Sequence, residues 1–165
     1  MDFQKELIAE YERELAITRK ILDAIPDDAD FSWKPHPKSS SLGALAAHVS
    51  GMAGQWAVYT LTMDRLDWTA EMKTKDPANK TELLAQFDRE VAEARPVVES
   101  FEPAKWDSNW KLVSGDQTWI DDTKYRVWRS VVMNHMVHHR AQLGVYLRLL
   151  DQKLPGTYGP SADEM

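Results

Sequence analysis

Apolar side chains recur at spacings of three and four from the start of the chain. Phe3, Leu7, Tyr11, Leu15, Thr18, Leu22 and Ile25 fall on one face, with Glu, Lys and Arg between them. That period predicts an amphipathic helix over residues 2 to about 24, because side chains three and four apart stack on one side of a 3.6-residue turn. Pro26, Pro35 and Pro37 interrupt it, and Ser39-Ser40-Ser41 offer N-cap oxygens for a second helix running to about Met63. A third helix is predicted to about Phe101. It starts either at Asp76-Pro77 or at Asn79, which has Glu82 at capping-box spacing. Pro96 lies inside it and is expected to bend it or end it early, since proline removes one backbone donor and clashes with the preceding turn. A fourth helical pattern runs from about Thr123 to Leu150 and stops before Pro155-Gly156.

Between Pro103 and Asp122 the helical period is lost, and Trp106, Trp110 and Trp119 flank the turn signal Ser114-Gly115-Asp116. This segment reads as an ordered loop or a short hairpin, serving either as a lid or contact surface or simply as packing for three indoles. Four helices of roughly twenty residues or more, with no repeat or interdomain linker, predict an all-α four-helix bundle spanning residues 1–165 as one domain.

Composition changes this picture in three ways. The chain has no cysteine, which excludes disulfides, thiolate metal ligands and a cysteine nucleophile, so any thiol chemistry needs a thiol brought in as substrate. Twenty Lys and Arg against 26 Asp and Glu give a charge of −6, and no basic stripe is present, so nucleic-acid binding is not expected. The charged amphipathic amino terminus lacks the apolar core of a signal peptide, which points to a cytoplasmic protein. No charged residue occurs from Ser39 to Met63, a span long enough to cross a bilayer. Its His48, Ser50, Gln55 and Thr60 and its alanine-rich composition instead predict a helix buried against other helices, with no membrane association.

The candidate chemistry lies in His135-Met136-Val137-His138-His139-Arg140. Residues four apart on a helix differ by about 40° around its axis, so His135 and His139 point the same way and can share one ion. His138 lies to the other side of His135 and is a second-choice ligand. The stripe Trp128, Val132, His135, His139, Gln142, Tyr146 and Leu150 reads as the buried face of the fourth helix, and His48 shares a largely apolar face of the second with Ser41, Ala44, Leu45, Met52, Gln55 and Tyr59. A single inward imidazole reads as a hydrogen-bonded core residue. Three of them would each need separate polar partners, whereas one divalent ion satisfies all three. Three neutral imidazoles leave a coordination position open, the catalytic rather than the structural pattern; zinc suits the set, and nickel, iron and manganese also accept imidazole. The H-E-x-x-H glutamate of zinc proteases is missing. Glu90, Glu93 and Glu99 of the third helix fall on what reads as a solvated face, unlike the glutamates of di-iron bundles.

Leu45-Ala46-Ala47-His48, His135-Met136-Val137-His138-His139-Arg140-Ala141-Gln142-Leu143 and the closing Leu154-Pro155-Gly156-Thr157-Tyr158-Gly159-Pro160 together make the chain resemble the DinB family, the DinB/YfiT-like metalloenzymes, over essentially its whole length. The resemblance implies a four-helix bundle that binds a divalent metal, zinc or nickel first, through His48, His135 and His139. It also implies a homodimer. Characterised relatives include bacillithiol transferases and mycothiol-dependent maleylpyruvate isomerases, so the resemblance implies a thiol S-transferase, or a related hydrolase or isomerase, acting on a small electrophile with a low-molecular-weight thiol. Metal-bound sulfur is deprotonated at neutral pH, a nucleophile this chain cannot supply itself. Gln55, Tyr59, Gln142 and Tyr146 share faces with the proposed ligands and are candidates to support them, or are packed core residues. Arg140 and Arg148 are candidates to bind a substrate carboxylate, or are ion-paired. The competing functional class is a non-catalytic metal or small-ligand binding bundle of stress-response type.

Overall fold

Each of the first three helical rods begins where a short polar side chain satisfies an unpaired backbone amide. Asp2 accepts from Lys5 N at the start of α1 (Phe3–Asp23), and Ser41 from Ala44 N at the start of α2 (Leu42–Ala53). Of the two predicted starts for the third rod the structure uses the second. Asn79 accepts from Glu82 N, and the Glu82 carboxylate reaches back to Ala78 N, opening α4 (Lys80–Ser100). The computed structural model describes residues 2–69, 72 and 76–165. None of its helices is long and apolar enough to cross a membrane.

Four helical rods enclose the main core, which includes Leu7, Tyr11, Leu22, Val49, Met52, Phe87, Val91, Trp128, Met136 and Leu143. The rod formed by α2 and α3 (Gln55–Thr62) packs against α4 on one side and against α6 (His135–Leu149) on the other, with α1 completing the ring. The second rod is therefore not one helix to Met63. It breaks at Gly54, where α4 comes so close that a Cβ would stand 2.5 Å from the Glu90 Cβ and 2.8 Å from its carbonyl oxygen. Gly54→Ala is expected to lower stability by about 1–3 kcal/mol, the usual cost of overpacking, read by urea unfolding.

Glu90 corrects a second expectation, since it is buried rather than solvated. It accepts hydrogen bonds from Ser50 Oγ and Gln86 Nε2, each at 2.9 Å. Burial raises its carboxyl pKa against those two hydrogen bonds, which favour the charged form. A raised pKa means the folded chain holds the proton more tightly than the unfolded one. Its stabilising effect is full below the ordinary carboxyl range and lost as pH rises through the folded value. Glu90→Gln is therefore expected to be at least as stable as the parent at pH 7, with the advantage shrinking toward pH 4, as measured by denaturation at both pH values. Glu93 and Glu99 are exposed as expected. Pro96 does not end α4, which continues to Ser100.

The fold is not purely helical. A three-stranded sheet, β1 (Arg65–Asp67), β2 (Asn109–Ser114) and β3 (Gln117–Thr123), lies beside α3 and α5 (Lys124–Val127) in the order β1-β2-β3. β2 and β3 are the short hairpin expected around Gly115, whose φ of +56° suits glycine in the turn. β1 pairs in parallel with β2, Leu66 opposite Leu112. Trp110 and Leu66 join Val127 in a second small core against which Trp56, Tyr59 and Trp68 pack. Trp106 is buried in the main core, while Trp119 stands 68% exposed on β3. Lys124 fastens the sheet side to the end of α3: its ammonium is buried and donates to the Thr60, Leu61 and Met63 carbonyls, beside the Asp64 carboxylate.

The last rod corrects the predicted buried stripe. Between α5 and α6 the chain is π-helical over Trp128–Asn134, and its wider turns slow the rotation of the side chains. The buried line becomes Trp128, Val132, Met136, Arg140, Leu143 and Leu147. His135, His139 and Gln142 are thereby turned off the core, toward α2.

Candidate metal centre

α2 packs against α6, and His48 meets the α6 pair at that seam. Its ring centroid is 5.0 Å from that of His135 and 4.6 Å from that of His139, and the two α6 rings are 4.6 Å apart. One nitrogen from each imidazole lies within 4.8 Å of the others, a group that could hold a metal ion. His48 Nε2 and His135 Nε2 are 3.1 Å apart. Two ligands on one tetrahedral ion with metal–nitrogen bonds of about 2.0–2.1 Å are separated by roughly 3.3 Å, so the spacing fits an ion of that size. The site is not buried in the way the sequence suggested. His48 is exposed and the other two are half-buried, because the cluster faces outward into clefts instead of inward into the core.

Although the His48 residue counts as exposed, its ring end is packed between two others, and that lowers its pKa to about 4. Loss of solvation contributes most, then His139 and His135. His135 and His139 are lowered for the same first reason, with neighbouring imidazoles adding to it and, at His139, the Gln142 hydrogen bond working against it. All three rings are neutral at pH 7, the state in which imidazole offers a lone pair to a cation.

Gln142 orients one of them. Its Oε1 is 2.7 Å from His139 Nδ1, and its Nε2 is 3.1 Å from His138 Nε2. The amide oxygen only accepts, so Nδ1 of His139 carries the proton and its Nε2 is left free for an ion. The same amide donates to His138, which is exposed and lies outside the three-nitrogen group. Tyr146 lines the cleft beside the cluster and donates to the Ser40 carbonyl at 3.1 Å. Gln55 lines a second cleft on the other side of His48. Tyr59 borders neither cleft; it packs with Trp56 against the sheet's small core. His36 accepts from Lys38 N on the surface.

The arginines are committed elsewhere. Arg140 is 3% exposed and inserts between α6 and α1, bonding Glu14 Oε2 at 2.7 Å and Thr18 Oγ1 at 3.0 Å. Tyr158 of the carboxyl-terminal segment joins both partners, 2.8 Å from each. This is a closed ion pair, so Arg140 is not free to bind a substrate carboxylate. Arg148 pairs with Asp163 at 2.6 Å.

Two clefts meet at the cluster, sharing Ala44 and His48. One, of about 610 Å³, runs past Ser39, Ser40, His139, Gln142 and Tyr146. The other, of about 230 Å³, is lined by Gly51, Met52, Gln55, Trp56, Trp68 and Met72 among others. Trp56 and Trp68, which carried no signal in the sequence, are stacked with centroids 5.6 Å apart at an interplanar angle of 24°.

The sequence model of the DinB family matches residues 1–165. Among solved structures, a DinB-like protein of Bacillus cereus ATCC 10987 superposes with a TM-score of 0.72 at 17% identity, covering 93% of this chain and 97% of that one. A DinB-like protein of Bacillus subtilis follows with a TM-score of 0.68 at 17% identity, covering 92% and 96%. A protein assigned to the DinB family from Exiguobacterium sibiricum 255-15 gives 0.62 at 17% identity, covering 100% and 99%. At such identity the likeness is one of fold. No curated protein sequence matches the chain.

Proposed function

Since the chain belongs to the DinB family along its whole length, we propose that it is a divalent-metal-dependent enzyme, a thiol S-transferase or a closely related hydrolase or isomerase acting on a small electrophile. One observation carries the reading: three imidazole nitrogens converge beside two clefts that share His48, the larger also lined by His139, so ligands would hold one side of the site while solvent reaches the other. A metal held there, zinc or nickel first, would act as a Lewis acid and lower the pKa of a thiol presented to it. His48 would supply the ligand from α2, and His135 and His139 those from α6. Gln142 would fix the tautomer of His139. The absence of cysteine makes the sulfur a substrate's, such as that of a low-molecular-weight thiol. The acidic chain gives no reason to expect a nucleic acid as partner, and a homodimer in the cytoplasm fits the family resemblance.

Metal analysis of protein purified without a histidine tag tests the site, and thiol conjugation assays with bacillithiol, mycothiol and glutathione on metal-loaded protein test the reaction. Tight metal with no activity toward any thiol would leave a binding bundle and end the transferase reading. Gln142→Ala is expected to weaken metal binding about 10–100-fold, the usual cost of removing a partner that orients a ligand histidine, in a competition titration with a chelator.

A further inference from the structure

We propose that the smaller cleft, between His48 and the stacked indoles of Trp56 and Trp68, is a subsite for a flat aromatic ring carried by the electrophilic substrate. The larger cleft is left to the thiol. This rests on the metal-dependent reading above for the identity of the substrate, but the preference for a flat ring stands on the cleft itself.

The lining brings together the indoles of Trp56 and Trp68 and the Met72 thioether, with the Gln55 amide and the Asp76 carboxylate as polar groups that can fix orientation. The two indoles already stack on one another, so a guest ring extends the stack instead of separating it. About 230 Å³ is too little for a large ligand but ample for one or two fused rings, given that benzene occupies an apolar cavity of about 150 Å³. Gly51 lies on the same cleft, one helical turn from His48 in α2, and among the described residues a Cβ added to it would meet nothing within 4 Å, so the wall is open at this position. The larger cleft differs in chemistry: Ser39, Ser40, Gln142 and Tyr146 give it hydroxyl and amide groups suited to a hydrophilic thiol.

The test compares 2-naphthamide with its saturated counterpart, decahydro-2-naphthamide, which keep the same polar head and exchange a flat ring for a puckered one. Binding to the metal-free and the metal-loaded protein is followed by ligand-observed NMR titration. The flat ring is expected to bind about 3–10-fold more tightly in both states. Trp68→Ala should remove that preference. Gly51→Leu, which fills the cleft from a helix that favours leucine, should abolish naphthamide binding while the folded state is retained by circular dichroism. Equal affinity for the two amides, or a preference that survives both substitutions, would overturn the subsite. Failure of metal loading with the preference intact would count against the metal reading alone, and loss of the preference in metal-loaded protein against the subsite alone.

Discussion

Alanine in place of His135 is expected to abolish stoichiometric binding of a divalent metal, while alanine in place of His138 leaves it nearly unchanged. The two residues lie on the same turn of α6, but only His135 presents a nitrogen to His48, at 3.1 Å. Removing a partner that merely orients a ligand histidine costs about 10–100-fold in affinity. Removing the ligand itself should exceed the upper end of that range. His48→Ala and His139→Ala should behave like His135→Ala. The measurement is competition against a chromogenic chelator, with metal content of the purified protein as a second readout. Binding also couples to stability. A metal at 100 times its dissociation constant should stabilise the parent by about 2.7 kcal/mol and the His135 variant by almost nothing. His48 and His135 are far apart in sequence, so the unfolded chain has no equivalent site. Equal metal content in the His135 and His138 variants would remove the proposed centre.

The second large effect concerns the buried pair next to it. Arg140→Met should destabilise the protein by about 3–5 kcal/mol, because among the described residues it leaves the buried Glu14 carboxylate with only Tyr158 as a side-chain partner. For a chain of this length that corresponds to a fall in Tm of roughly 6–20 °C. The double variant Glu14→Gln with Arg140→Met removes both charges and should recover much of the loss, since the penalty lies in the orphaned charge more than in the missing attraction. Thermal unfolding of the parent, both single variants and the double variant forms the cycle that decides this. A loss below about 1 kcal/mol for Arg140→Met would show that the pair is solvated in solution.

The pairing of His135 with His139 on one face was legible because it depends on local geometry. His135 and His139 are separated by one helical turn, a spacing that survives whatever the rest of the rod does. Their direction was not legible. Extrapolating the stripe from Trp128 assumed an unbroken α-helical period, and the π-helical turns over Trp128–Asn134 shift the phase so that Arg140 enters the core and the histidines do not. Nothing in those seven residues announces wider turns. Serine and asparagine caps were readable because their chemistry is local. The break at Gly54 was not, since it depends on how closely Glu90 of α4 approaches. The same contact hid the burial of Glu90, whose partners are the remote Ser50 and Gln86, one turn away. The three-residue β1 was too short to carry a period, and with it went the placement of Trp68 over Trp56.

The parallel pairing of β1 with β2 has a consequence for the order in which the molecule assembles. The chain between the paired residues Leu66 and Leu112 contains all of α4, so this ladder closes a long loop and its entropy must be met before the strand contacts repay it. Only the turns within each helix are local by comparison, since docking the rods closes longer loops still, as between His48 and His135. Trp68, held to Val113 by a 2.7 Å backbone hydrogen bond at the end of β1, is therefore set over Trp56 only once this loop has closed, later than the helices on either side of it have wound.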